Sequence, residues 1–264
     1  MASPLTVTHA PATSSEAALY DYLLRLGDDS LILGQRLCEW TGHAPALELE
    51  LGLANLGLDL IGQATFFLNL AGEIEGAGRD GDALAFHRDV LDFRNCLMVE
   101  QPNGDFAQTI ARQFLFSTWQ LALLDGLTQS TNRRIAEIAA KAAKEVRYHA
   151  ELASEWVIRL GDGTEESRRR MRDGLDWHWR FVDELFDADD IEMPLVEAGI
   201  AVDRAALRPS FDARVAEVME AADLPPPAYP RGVKGGRFGH HSEHLGHLIA
   251  TMQFLPRTYP GATW

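Results

Sequence analysis

The chain has 264 residues, 46% of them hydrophobic and 24% charged, and a formal net charge of −15. That length can bury a substantial core as one large soluble domain, and the acidic balance argues against nucleic acid, whose binding calls for a basic patch. Cys38 and Cys96 are the only cysteines, too few for a disulfide framework or a cysteine metal cluster, and they fit a reduced, cytoplasmic setting.

Residues 1–15 are small and polar with two prolines, lack the basic start and apolar run of a signal peptide, and read as a disordered tail. Residues 16–264 then read as a single helical domain. Its bundle core runs to about residue 186 and its C-terminal extension covers about 187–264. Ser15 with Glu16 starts a helix whose leucines, Leu19 to Leu37, recur at near-helical spacing to Trp40. Gly27-Asp28-Asp29 predicts a kink in it. A second helix covers Pro45 to Gly72 and includes Leu49 to Ala71, the most apolar stretch of the chain. Glu50, Asn55, Asp59, Gln63 and Asn69 interrupt that stretch, so it is expected to be a core helix and not a membrane span.

A glycine-rich loop, Gly76 to Asp82, and a shorter helix around Ala83 to Phe93 follow. In Gln101-Pro102-Asn103-Gly104-Asp105, proline fixes φ, Asn-Gly allows positive φ and Asp105 can cap the helix Phe106 to Leu127. Asn132 precedes the longest amphipathic helix, Arg133 to Gly161. Thr164 with Glu165 and Glu166 starts another, to about Phe186, with Trp177 and Trp179 as packing residues around His178. The pattern weakens from Ala188 to Leu207. A helix near Ser210 to Ala222, an extended arm from Pro225 to Gly239 and a helix from Ser242 to Arg257 close the chain. Strand alternation and solenoid repeats are missing, so the fold class is all-α. Four long helices in two antiparallel pairs with a longer central connection make a ferritin-like four-helix bundle with additional helices.

In such bundles a di-iron centre takes a Glu from each of two helices and Glu-x-x-His from each of the other two. None of the nine histidines has a glutamate three residues before it. Glu39–His43, Glu145–His149 and Glu243–His247 have the acid four residues ahead, on one helical face. Asn55 and Asp59 stand where a Glu and a His are wanted, and Gln113 where a third helix needs a Glu. A neutral amide binds a hard cation weakly. The residues Glu39, Asn55, Asp59, Gln113, Glu145 and His149 therefore read as a degenerate former metal site. Burying its acids would require pairing, with Arg112, Lys144 or Arg147 as candidate counter-charges. No catalytic, cofactor-binding or metal residue is expected in this chain. The cluster His240-His241-Ser242-Glu243-His244-Leu245-Gly246-His247 has metal-like spacing, and a polar helix start packed on the bundle is the plainer expectation. No P-loop, strand-linked dinucleotide fingerprint or nucleophile context occurs.

Several blocks in combination resemble the C subunits of bacterial phenylacetyl-coenzyme A 1,2-epoxidases, over nearly the whole chain after Leu19. They are Leu26-Gly27-Asp28-Asp29, Gln35 to Pro45, Leu53 to Asp59, Val99 to Phe106, Lys144 to His149, Phe186-Asp187-Ala188-Asp189 and Glu243-His244-Leu245-Gly246. The resemblance implies a structural, ferritin-like subunit without metal, part of an oxygenase system of aerobic phenylacetate degradation. In that family the di-iron centre belongs to the A subunit, which epoxidises the ring, and a small B subunit and an iron–sulfur flavin reductase complete the system. The expected partner is the A subunit, with neither nucleic acid nor membrane involved. The arm and the C-terminal helix are the segments expected to wrap a neighbour. The competing expectation is a di-iron oxygenase in its own right with atypical ligands.

Overall fold

The computed structural model describes residues 14–227 and 230–262. Among them there are eleven α-helices and no strand. Two antiparallel hairpins form the core. The first joins α1 (Ser14–Cys38) to α2 (Leu47–Glu75), and the second joins α5 (Phe106–Leu127) to α6 (Arg133–Gly161). The connection between them carries α3 (Gly81–Phe86), a 3-10 turn and α4 (Leu97–Glu100). The expected tail lies outside the described residues up to Thr13, and α1 already begins at Ser14.

The first hairpin is tight because it is built on small residues. A Cβ at Gly34 would stand 3.1 Å from the Gly57 carbonyl, and one at Gly57 would stand 3.1 Å from Cys38 Sγ, so the two backbones approach as no larger residue would allow. The second hairpin starts on real caps. Asp105 accepts from Gln108 N at 2.9 Å, and Asn132 accepts from Arg134 N and Ile135 N, which satisfies amide groups left over at a helix start. Phe106 sits edge-on between Trp40 and Trp156 and ties both hairpins together at this end.

Helix α5 is buried on nearly every side, which explains its almost continuous apolar sequence. Its outer side is covered by α7 (Glu165–Trp179), where Gly174 faces the α5 backbone at Gln108, and by α9 (Arg208–Ala221). Helix α7 stops at Trp179 instead of reaching Phe186. A 3-10 turn, Val182–Leu185, replaces its last part. Short elements α8 (Met193–Glu197), Arg204–Leu207 and Gly236–Phe238 fill the stretches where the sequence pattern weakens, and α10 (Glu243–Met252) with α11 (Phe254–Thr258) closes the chain. The helix expected over 83–93 ends at Phe86, and Gly27-Asp28-Asp29 lies within a continuous helix.

Candidate functional site

The two hairpins meet along the α2–α6 seam, and the seam is polar. Successive rungs pair Asp59 with His149 at 3.1 Å, Gln63 with Glu145 at 3.1 Å, Phe66 with the Lys141 ammonium at 4.6 Å from the ring centroid, and Glu73 with Arg134 at 2.8 Å. Steps of four, three and seven residues along α2 are matched by steps of four, four and seven backwards along α6, as antiparallel helices require.

At the second rung the polar contacts continue across the bundle. Gln63 Nε2 donates to Glu145 Oε2, and Gln120 Nε2 donates to Gln63 Oε1 at 3.2 Å and towards Ser30 Oγ at 3.4 Å. The Ser30 hydroxyl donates back to Leu26 O. One layer thus takes one side chain from each of α1, α2, α5 and α6. Its members are a hydroxyl, two neutral amides and a single carboxylate, and the nearest cation to that carboxylate is Lys141, 3.9 Å away at the solvent edge. This donor set does not fit a di-iron centre, which needs several anionic oxygens to offset the metal charge.

One rung away, His149 is fully buried, while the Asp59 side chain is 37% exposed. Burial holds the imidazole below its usual pKa, against the opposing hydrogen bond and charge of Asp59. A carboxylate only accepts, so the neutral ring carries its proton on Nε2, and Nδ1 has no partner among the described residues. Gln113 is likewise buried, with both amide atoms unpartnered among the described residues.

The other residues of the expected site lie elsewhere. Asn55 is exposed on the outside of α2. Glu39 sits past the end of α1, partly exposed, where both its oxygens accept from Arg36 at 3.1 Å and one accepts from Asn103. Glu39, Asp59 and Glu145 therefore do not share an interior, and the expected counter-charges are replaced. Arg36 pairs with Glu39 and Lys141 lies near Glu145, in place of Arg112, Lys144 and Arg147, and Asp59 takes a hydrogen bond from the neutral His149 instead of a counter-charge. Arg147 pairs with Asp125 at the surface. Arg112 is fully buried and holds the 101–105 turn through Gln101 O and Asn103 Oδ1. Burial and the nearby Arg36 charge lower its pKa to about 9, with Glu39 pulling the other way. Buried His178 is held well below its usual value by burial and by the Arg112 charge.

The histidine cluster divides similarly. The His241 side chain is buried and bonds Glu100 through Nδ1 at 2.8 Å and Phe93 O through Nε2, while His240 and His247 are exposed. Among the described residues, no three His, Cys, Asp or Glu side chains gather so as to hold a metal ion.

A second buried polar system was not legible in the sequence. Asp28 bonds both Arg88 and the Arg94 amide, and Asp29 bonds Arg237 at 2.7 Å and the Cys96 amide at 2.7 Å. Arg25, one turn earlier, meets Asp21, Asp189 and Glu192, and Glu192 also takes Arg204. Glu184 accepts from the Leu97, Gly235 and Gly236 amides. Helix α1 is thereby clamped to the central connection and to the C-terminal segment. The only sequence signal is a pair of acids inside an apolar helix, which points to a buried counter-charge without locating it.

A family model described as "Phenylacetic acid catabolic protein" matches residues 5–264. The chain belongs to that family. A curated relative from Escherichia coli (strain K12), the C subunit of 1,2-phenylacetyl-CoA epoxidase, is 50% identical over 243 residues, which cover 92% of this chain and 98% of the relative. The family blocks around Leu26 to Asp29, Phe186 to Asp189 and Glu243 to Gly246 fall largely on the clamp and its surroundings. Those from Leu53 to Asp59 and from Lys144 to His149 fall on the α2–α6 seam.

Proposed function

We propose that this chain is a structural, metal-free C subunit of a phenylacetyl-coenzyme A 1,2-epoxidase, which pairs with and stabilises a di-iron catalytic A subunit in phenylacetate degradation. The observation that carries the reading is the Ser30–Gln63–Gln120–Glu145 layer. It occupies the bundle centre with mostly neutral groups that bond one another, so the bundle needs no cation to hold its helices in register. The curated relative is one subunit of an epoxidase, which supports a role in a complex. A rigid bundle of this kind can fix the helices of a neighbour so that its carboxylates keep their geometry within about half an ångström. It contributes no ligand of its own.

Metal analysis of the separately purified chain tests this. The expected result is no stoichiometric iron or manganese, and a Tm that EDTA leaves unchanged. Near-stoichiometric iron, or oxygenation by this chain without the A subunit, would overturn the proposal.

A further inference from the structure

The buried acids of the C-terminal clamp are not all neutralised in the same way. Asp28, Asp29 and Glu192 are each met by an arginine. Glu100, on α4, is fully buried and is met by no arginine or lysine among the described residues. Its carboxylate accepts from Ser242 N at 2.6 Å, from Asn95 Nδ2 at 2.9 Å and from His241 Nδ1 at 2.8 Å. Arg36 comes close, but its guanidinium goes to the Glu100 and His244 backbone carbonyls and to Glu39. A buried carboxylate without a counter-charge is costly. His241, whose side chain is 2% exposed, is the one group placed to supply it.

The imidazole leads to the same assignment. A neutral ring has one N–H and one lone pair, so it donates from a single nitrogen. His241 has a carboxylate oxygen on Nδ1 and the Phe93 carbonyl, at 3.0 Å, on Nε2. The carbonyl has no proton to give, and the Ser242 and Asn95 N–H groups hold Glu100 as an acceptor. Both ring nitrogens therefore donate, and only the imidazolium can do that. His149 is the contrast within the same chain. It has an acceptor on Nε2 alone, and its acid Asp59 is partly open to solvent.

The other charges near the pair are matched elsewhere. From α1 and the central connection, Asp28 holds Arg88, Asp21 holds Arg94 and Asp92 accepts from the Asp89 amide. Asp89 in turn holds Arg257 of α11. On the segment itself, His240, Glu243 and His247 are exposed and His244 is partly so.

Ser242 is the N-cap residue of α10, so Glu100 grips the two residues that lead into that helix. Upstream, Asp29 holds Arg237 and Glu184 holds the Gly235 and Gly236 amides. The segment expected to wrap a neighbour is thus fastened to its own chain at successive points.

We propose that His241 and Glu100 form a proton-dependent latch: α10 is seated while the imidazolium is present and loosens once that proton is lost. A free histidine gives up its proton near about pH 6.5. Above that pH the seated segment binds one proton more than the released one, so release becomes more favourable as pH rises, by up to about tenfold per unit. Below it the latch contributes fully.

The test is hydrogen exchange of the full-length chain from about pH 7 to 9, read by mass spectrometry and corrected for the intrinsic pH dependence of amide exchange. Opening of α10 should rise several-fold per pH unit, up to about tenfold, while α5 stays flat. Glu100→Gln removes the charge that calls for the proton, so α10 should open to the same extent across the range in that variant. Ring-nitrogen NMR of histidine-labelled wild-type protein at about pH 7.5 should show an imidazolium with both nitrogens protonated, and His241→Gln should remove that signal. Corrected α10 exchange that is flat with pH in the wild-type chain overturns the latch. So does a neutral His241 ring at that pH, a readout that stands even if a variant fails to fold.

Discussion

Arg237→Ala is the sharpest test of how this bundle is held together. The Arg237 side chain is 5% exposed and that of its partner Asp29 is 3% exposed. The guanidinium also donates to the carbonyls of Arg25 and Arg94. Burial disfavours its charge, yet Asp29 and Glu184 raise its pKa overall. Removing it leaves the Asp29 carboxylate buried with the Cys96 amide as its remaining strong donor. Breaking a buried pair from one side costs about 3–5 kcal/mol, which for a chain of this size is a fall of about 10 °C in Tm. Urea unfolding followed by tryptophan fluorescence, with a calorimetric Tm, measures it. Asp29→Asn in the same background should recover part of the loss, because the stranded charge is gone. Lys234→Ala, which removes an ion pair with Asp187 whose side chains are 60% and 48% exposed, should cost less than about 1 kcal/mol. If Arg237→Ala unfolds within about 1 kcal/mol of wild type, the clamp is not what holds α1 to the C-terminal segment.

Three further outcomes follow from the geometry. His149 and His178 both have lowered pKa values in the fold, so the unfolded chain binds more protons below about pH 6.5. Their contribution is complete above that pH and declines as it falls, by at most about 1.4 kcal/mol per pH unit for each group; a urea midpoint flat from about pH 7 to 5 would contradict this. Gly236→Ala drives a Cβ into the Asn95 carbonyl and should destabilise by more than about 1 kcal/mol, measurable as a Tm shift. In the central layer, Gln63→Leu alone strands both Glu145 and the Gln120 amide. The pair Gln63→Leu/Gln120→Leu should therefore cost less than the sum of the single changes by about 0.5–3 kcal/mol, and strict additivity in a double-mutant cycle would remove the layer as an energetic unit.

The long helices were legible because their signals are local. The helices at 106–127 and 133–161 follow from a capping residue, an apolar period and a terminal glycine or polar turn, all close together along the chain. The polar face of α2 was legible only in part. Asn55, Asp59 and Gln63 are spaced by four, but each such step turns the side chain by about 40°. Asn55 therefore lies outside, Asp59 on the edge and Gln63 within the bundle. Ser30 and Gln120, which complete the layer, are ordinary residues in apolar helices, and only tertiary contact reveals them. Gly27-Asp28-Asp29 stays within an unbroken helix, and its two acids find arginines 60 and 208 residues away. No local pattern encodes such pairings. The C-terminal segment hides its packing for the same reason. Its glycines and prolines suggest a free arm, while Glu184 and Asp29 anchor it from distant helices.

The Asp29–Arg237 pairing also bears on the order of folding. The two residues stand 208 positions apart along the chain, and contacts so distant close slowly. Until Arg237 arrives, burying α1 strands the Asp29 carboxylate, which costs several kcal/mol. Helix α1 therefore reaches its buried position together with the C-terminal segment and not before it.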